Sequence, residues 1–310
     1  MSDAVLQNSR DLITQGSRSF SAASRLFPSR LREDAWMLYA WCRHCDDEVD
    51  GQVLGHGAVG LDPALAGAKL EELKARTDAA LRGERMDDPV FEAFQRVALR
   101  HDVPAREPLA LLEGFAMDVD GRAYETLEDL LDYAWHVAGV VGVMMARIMG
   151  VREREVLRRA QDLGLAFQLT NIARDVVEDA RGGRVYLPGL WLDEAGVPRH
   201  QVADLTHRAG VASVTKRLLA VAETYYDSAR WGLKDLDMRS AWAIATARRV
   251  YRQIGRIVAR RGAAAWDSRA SVSRPDKLWQ VTLAAGTVLG AKTLDHLGPA
   301  PERPALWTRV

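Results

Sequence analysis

Apolar residues along this chain recur at spacings of three and four, as in Trp36-Met37-Tyr39-Ala40 and Leu127-Leu130-Leu131-Ala134, and almost nowhere in strict alternation. That period belongs to helices with one buried face, so the chain reads as all-α. Prolines stand where such a chain changes direction: Pro28, Pro63, Pro89, Pro104, Pro108, Pro188, Pro198 and Pro275. Pro63 and Pro89 directly follow Asp62 and Asp88, which reads as an N-cap followed by proline in the first turn. The stretch 109–187 holds no proline, and within it the pattern predicts helices over 109–119, 126–149 and 153–180. No fixed-period repeat and no Gly/Pro/Ser-rich linker interrupts the pattern, which gives one helical domain over 1–310 of about a dozen helices.

Composition narrows the class. Of the 310 residues, 48% are hydrophobic and 27% charged, and 42 basic residues balance 42 acidic ones. No overall positive field steers the chain toward nucleic acid, and any bound anion is held by a local site. Arginine outnumbers lysine 36 to 6, as a GC-rich genome dictates. Two cysteines, Cys42 and Cys45, build no disulfide framework, and no signal peptide is evident, so a cytoplasmic location is expected. The longest apolar stretch, Val137 to Met149, is broken by Arg147 and is shorter than the ~20 residues that span a bilayer.

Two acidic segments carry the chemistry. In the first, Tyr39, Arg43, Asp46 and Asp50 fall within about 60° on one helical face. In the second, Gln168, Asn171, Asp175 and Asp179 fall within about 80°. A single Asp-x-x-x-Asp ladder is usually a solvated face. Here both are flanked by apolar residues such as Leu165, Phe167, Leu169, Ile172, Val176 and Val177, and buried carboxylates need cations. Oxygen ligands at this spacing suit Mg²⁺ or Mn²⁺, ions that bridge to phosphates, with Arg43 and Arg174 available for the remaining oxygens. The residues thus read as a metal-dependent diphosphate site. Nearby, Ala138, Gly142 and Ala146 form a strip of small residues, beside Gly139, which suits either close helix packing or a groove for a long apolar ligand. Phe115, Met117, Met144, Met145 and Phe167 are candidates to line such a groove, or plain core.

Tyr133 through Ile148, with Val137-Ala138-Gly139 and Val141-Gly142, resembles the first signature of the squalene/phytoene synthase family. Leu163-Gly164 through Gln168, Asn171, Arg174-Asp175, Asp179, Arg184, Tyr186 and Pro188 resembles its second. Ser17-Arg18-Ser19-Phe20 and Tyr39 to Asp50 are similar to two further blocks, so the likeness runs from about residue 10 to 280. Within the family, Tyr39-Ala-Trp-Cys-Arg-His-Cys-Asp-Asp and Ser240-Ala-Trp-Ala-Ile-Ala-Thr-Ala with Tyr251 most resemble bacterial phytoene synthases. The resemblance implies an isoprenoid-synthase helical bundle around a central cavity. It further implies head-to-head condensation of two geranylgeranyl diphosphates, through cyclopropyl prephytoene diphosphate, to phytoene and released diphosphate in carotenoid biosynthesis. Metal would bind at Asp46, Asp50, Asn171, Asp175 and Asp179. Ser17, Arg18, Ser19, Arg43 and Arg174 would contact diphosphate, and Tyr39, Gln168 and Tyr251 would stand near the reacting prenyl ends. Insoluble substrate tails and product imply peripheral association with the inner membrane, and no obligate protein partner is inferred.

Other patterns are weaker. Gly55-His-Gly57-Ala-Val-Gly60 fits G-x-G-x-x-G but follows a helix and belongs to no βαβ unit, so it reads as a loop, and no NADPH is expected. Cys42-x-x-Cys45 lacks a second pair, which predicts packing on the far side of the acidic helix. No histidine follows a glutamate at the spacing a di-iron centre needs, and His136 reads as structural. Dehydrosqualene or squalene synthesis from farnesyl diphosphate, a head-to-tail prenyltransferase or terpene cyclase, and a non-catalytic helical binding protein remain as alternatives, in that order.

Overall fold

Short polar side chains fix where the helices begin. The computed structural model describes residues 3–16, 18–51, 62–295 and 300–310, with only the backbone at 18, 19 and 63. Asp62 accepts from the Ala64 amide ahead of α4 (Pro63–Leu81), and Asp88 accepts from Val90 N at 2.7 Å ahead of α5 (Pro89–Arg100), each with proline in the first turn as the sequence predicts. Thr126 and Asp129 form a reciprocal capping box at α7 (Leu127–Ala134). Asp237 caps α12 (Met238–Arg261) and Ser273 caps α13 (Arg274–Thr293). The remaining helices are α1 (Ala4–Gly16), α2 (Arg18–Ser24), α3 (Ser29–Asp50), α6 (Arg106–Val119), α8 (Val140–Ile148), α9 (Arg154–Arg181), α10 (Gly189–Glu194) and α11 (Arg208–Ala229). No strand occurs among the described residues, so the fold is all-α.

The predicted rod over 126–149 is interrupted: Trp135–Gly139 widens into a π-helical turn between α7 and α8. The turn is pressed from two sides by glycines. A Cβ on Gly114 of α6 would lie 2.7 Å from Val137 Cγ1, and one on Gly164 of α9 would lie 2.3 Å from the Ala138 carbonyl oxygen. At Gly164 backbone meets backbone, which no larger residue permits, and at Gly114 the missing side chain leaves room for Val137 and His136. The predicted helix over 153–180 appears as the 28-residue α9, on which α8, the π turn, α11 and α12 all pack.

Two large sets of buried side chains flank a cavity. One joins Leu165, Leu169, Ile172 and Val176 of α9 to Tyr225 and Tyr226 of α11. The other joins Trp41, Phe91, Phe94, Leu111, Leu112 and Met144 from α3, α5, α6 and α8, with Trp41 stacked on Phe94 at 4.2 Å. Each such buried side chain contributes about 1.5–3 kcal/mol, so the cavity is held open between two well-packed walls. A smaller set ties α8, α12 and α13 together through Val143, Ala146, Leu233, Leu236, Ala241, Ala284 and Val288.

Candidate active site

The cavity, about 500 Å³, runs beside α9 from Asp175 and Asp179 at one end to Val156 at the other. At 1.5 Å rise per residue that is about 28 Å of helix to Asp175 and about 35 Å to Asp179. Its charged end carries the predicted residues Tyr39, Arg43 and Asp46 from α3 and Gln168, Asn171, Arg174, Asp175 and Asp179 from α9. Asp46 of the first ladder therefore meets both aspartates of the second, each ladder being held on one face of its helix by the spacing.

Ion pairs organise this end. Arg43 donates to Asp46 at 2.6 Å, and Arg174 donates through Nε to Asp175 at 2.9 Å. Arg269, from the segment after α12, reaches Glu178 at 2.9 Å and Asp175 at 3.1 Å. Asp50 does not line the cavity. It is gripped by the Arg184 guanidinium through two hydrogen bonds, 2.9 and 2.5 Å long, because α9 ends nearby and its following turn brings Arg184 across to α3. Tyr251 also stands back from the lining: its ring stacks on Phe20 at 5.5 Å and lies 4.3 Å from that of Phe167, and those two rings face the cavity. Ser17 lies outside the described residues, as do the side chains of Arg18 and Ser19 and the glycine-rich Gly55–Gly60 segment.

One carboxylate of this end is missing from the sequence reading. Asp118, near the end of α6, lines the cavity and accepts from Tyr133 Oη at 2.8 Å and Tyr186 Oη at 2.9 Å. Its partners stand 15 and 68 residues away, so no local spacing reveals the arrangement. Tyr133 and Tyr186, stacked at 5.0 Å, were visible only as parts of longer motifs.

Electrostatics set this end apart. Burial pushes the Asp46 carboxyl up to about 7 against the pull of Arg43, with Asp50, Asp47 and Asp118 adding to the rise. Burial likewise raises Asp118 to about 6 despite Arg184 and the two tyrosines. Asp179 reaches about 8 through burial and the neighbouring charges of Asp175 and Glu178. The site holds more negative charge than its own arginines neutralise. The buried Asn171 Oδ1 has no hydrogen-bond partner, while its Nδ2 faces Gln168 Oε1 at 3.5 Å. An unmatched oxygen near carboxylates raised by burial fits the oxygen-donor chemistry of a hard dication, although among the described residues no three His, Cys, Asp or Glu side chains converge closely enough to form a ready-made cage.

The rest of the cavity is apolar. Phe115, Met145 and Phe167 line it, as expected, but Met144 is wholly buried in core and Met117 only packs against it. The small-residue strip serves both readings, because Ala138, Gly142 and Ala146 border the cavity while a Cβ on Gly142 would lie 2.5 Å from the Ala160 carbonyl oxygen. Cys45 packs in the core, but Cys42 borders the cavity, because at its position α3 is lined on that side too; burial pushes its thiol up to about 12. His136 is structural: buried, it shares a hydrogen bond of 2.8 Å with the Asp132 carbonyl and another of 2.9 Å with Arg309.

Residues 13–276 match the family described as squalene/phytoene synthase. The chain belongs to that family. This squalene/phytoene synthase family member is 51% identical over 310 residues to a 15-cis-phytoene synthase of a Paracoccus species, covering all of this chain and 99% of that protein. It is 50% identical to a 15-cis-phytoene synthase of Enterobacter agglomerans, covering 95% and 98% of the two chains. Among solved structures, a dehydrosqualene synthase in complex with ligand superposes with a TM-score of 0.81 at 26% identity, over 92% of this chain and 97% of that one. Squalene synthase HpnC from Alicyclobacillus acidocaldarius shares the fold, with a TM-score of 0.72 at 24% identity over 84% and 94%. As a family member the chain is an enzyme of the prenyltransferase type, and near-full-length identity to bacterial phytoene synthases supports phytoene synthase activity.

Proposed function

We propose that the chain condenses two geranylgeranyl diphosphates head to head and converts the cyclopropyl intermediate to phytoene. The observation that carries this reading is one cavity with a carboxylate- and guanidinium-rich end that continues along α9 into a long apolar end. In this reading Arg43 and Arg174, which line the cavity, would contact diphosphate oxygens, and Arg184 and Arg269 stand at the same end. Asp46, Asn171, Asp175 and Asp179, with Asp50 beside them, would hold Mg²⁺ or Mn²⁺. Bound there, such an ion supplies charge neutralisation for a departing diphosphate. The protein's own contribution is then orientation and exclusion of water. Phe20, Phe167 and Tyr39 present ring faces and edges near the charged end, where an allylic cation forms, and cation–π attraction favours it there. Apolar walls keep water from capturing the cation before the second prenyl double bond attacks. The second ionisation, of prephytoene diphosphate, uses the same arginines, and rearrangement with proton loss gives the hydrocarbon.

A thirty-carbon reading has one observation in its favour, the dehydrosqualene synthase match at a TM-score of 0.81. Purified protein with Mg²⁺ or Mn²⁺ and either geranylgeranyl or farnesyl diphosphate, with and without NADPH, separates the two by product mass. Phytoene from geranylgeranyl diphosphate without NADPH is expected. A thirty-carbon product alone would move the substrate, and no product from either would overturn the reading.

A further inference from the structure

Helix α13 is apolar on two opposite sides. Inward, Ala284, Val288 and Ala291 are buried against Leu233, Leu236, Ala241 and Ala245. Outward, Leu278, Trp279, Thr282, Gly286, Leu289 and Thr293 fall within an arc of about 100°, all exposed and none charged. Leu278 is 69% exposed, Trp279 58% and Leu289 58%, and Leu294 at the end of the helix is 71% exposed. A helix apolar on both sides is normally covered on both.

The charge beside this face is predominantly basic, with Asp276 in the first turn of α13 the acidic exception, accepting from Ser273 Oγ at 2.6 Å. α12, packed alongside, carries seven arginines and no acidic residue. Arg249 donates to Gln280 of α13 at 3.0 Å, and Arg256 is exposed about two turns further along. Arg274 and Lys277 lie in the first turn of α13. Among the described residues none of these four cations is within ion-pair distance of a carboxylate, Asp276 being turned to Ser273 instead. A convex strip of Leu and Trp without internal charge, edged by unpaired cations, is complementary to an anionic bilayer surface rather than to an acidic groove. The position agrees: Leu233 and Leu236, under α13, line the apolar end of the cavity, so one layer of side chains and one helix separate that end from this surface.

We infer that the outward face of α13, with Arg249, Arg256, Arg274 and Lys277, docks the protein on anionic lipid, so that the apolar end of the cavity lies against the bilayer. The inference takes only its motive, a hydrocarbon product, from the proposed function, and it is tested without substrate. The full chain is mixed with phosphatidylcholine vesicles with and without phosphatidylglycerol and separated by flotation. The wild type is expected to float with the anionic vesicles. Replacing Leu278, Trp279 and Leu289 together by serine should weaken partitioning on the order of a hundredfold. Arg256→Gln with Lys277→Gln should weaken it about twenty-five-fold, at roughly fivefold per cation near an anionic surface. Leu205→Ser, an exposed leucine elsewhere, should change nothing. All variants should keep their melting temperature and their turnover in detergent micelles. A wild type that stays with the dense fraction, or a triple variant that floats as well as the wild type, overturns the inference. So does a wild-type dimer without vesicle binding that the triple variant converts to monomer, since the face would then belong to a second copy. Vesicle binding intact with no turnover would instead count against the proposed function alone.

Discussion

At the charged end of the cavity, Asp46, Asp175 and Asp179 come from two helices, and each set of side chains is spaced along one stretch of sequence. At the apolar end, Met149, Val156 and the pair Leu233 and Leu236 come from three separate segments that meet only in the fold. The charged end is poorly neutralised by its own surroundings, with carboxyls raised to about 7 and 8, whereas the apolar end is packed to the point that glycines are needed where backbones cross. Unfavourable self-energy concentrated at one end marks where a ligand's charge belongs, and the other end supplies the shape. If that division is right, substitutions at the two ends change different quantities: rate at the first, chain length at the second.

The largest effect is expected from Asp175→Ala or Asp46→Ala, each lowering turnover by about 10³-fold or more while the far-ultraviolet circular dichroism stays that of a helical protein. Turnover within tenfold of wild type in both would break the assignment of the charged end. Next comes Asp118→Asn. An amide nitrogen cannot accept the tyrosine hydroxyl that the carboxylate oxygen accepted, so one of Tyr133 and Tyr186 loses its partner. A drop in kcat of roughly ten- to a hundredfold is expected, as for residues that orient a charged site, with KM little changed. An effect on KM alone would place Asp118 in binding instead.

The apolar end responds differently. Ala146 borders the cavity beside Leu233 and Leu236. Ala146→Phe shortens the apolar end, so kcat/KM for geranylgeranyl diphosphate should fall by roughly tenfold or more while farnesyl diphosphate is retained or improved. Paired kinetics on the two substrates checks this, and equal losses on both would show that the residue supports folding and not length.

Legibility in the sequence follows the same division. The helices over 109–119 and 153–180 and the caps at Asp62 and Asp88 were readable because period and capping are local properties. The two ladders were readable for the same reason. What escaped depends on contacts between distant segments: Asp118 acquires its meaning from tyrosines on other elements, Asp50 is claimed by Arg184, and Tyr251 sits behind Phe167. The π turn escaped because it answers to Gly114 and Gly164, glycines on two other helices, and leaves the hydrophobic spacing of 126–149 almost unchanged.

The smallest effect expected is on stability, and its sign follows from the raised carboxyls. Asp46, Asp118 and Asp179 hold their protons to about 7, 6 and 8 in the folded chain, against about 4 for an unfolded aspartate. Between pH 4 and 8 the folded state therefore binds more protons than the unfolded state, and stability must fall as pH rises through that window. Without divalent cations, the melting temperature should drop by several degrees from pH 6 to pH 9. Asp179→Asn, which keeps the shape and removes the highest of the three, should flatten the upper part of that slope. Mg²⁺ should flatten it in the wild type, since a dication favours the ionised carboxylates, and should do less in Asp179→Asn. A melting temperature that rises over this range without metal would mean that the arginines already neutralise the charged end, and the contrast with the apolar end would lose its electrostatic basis.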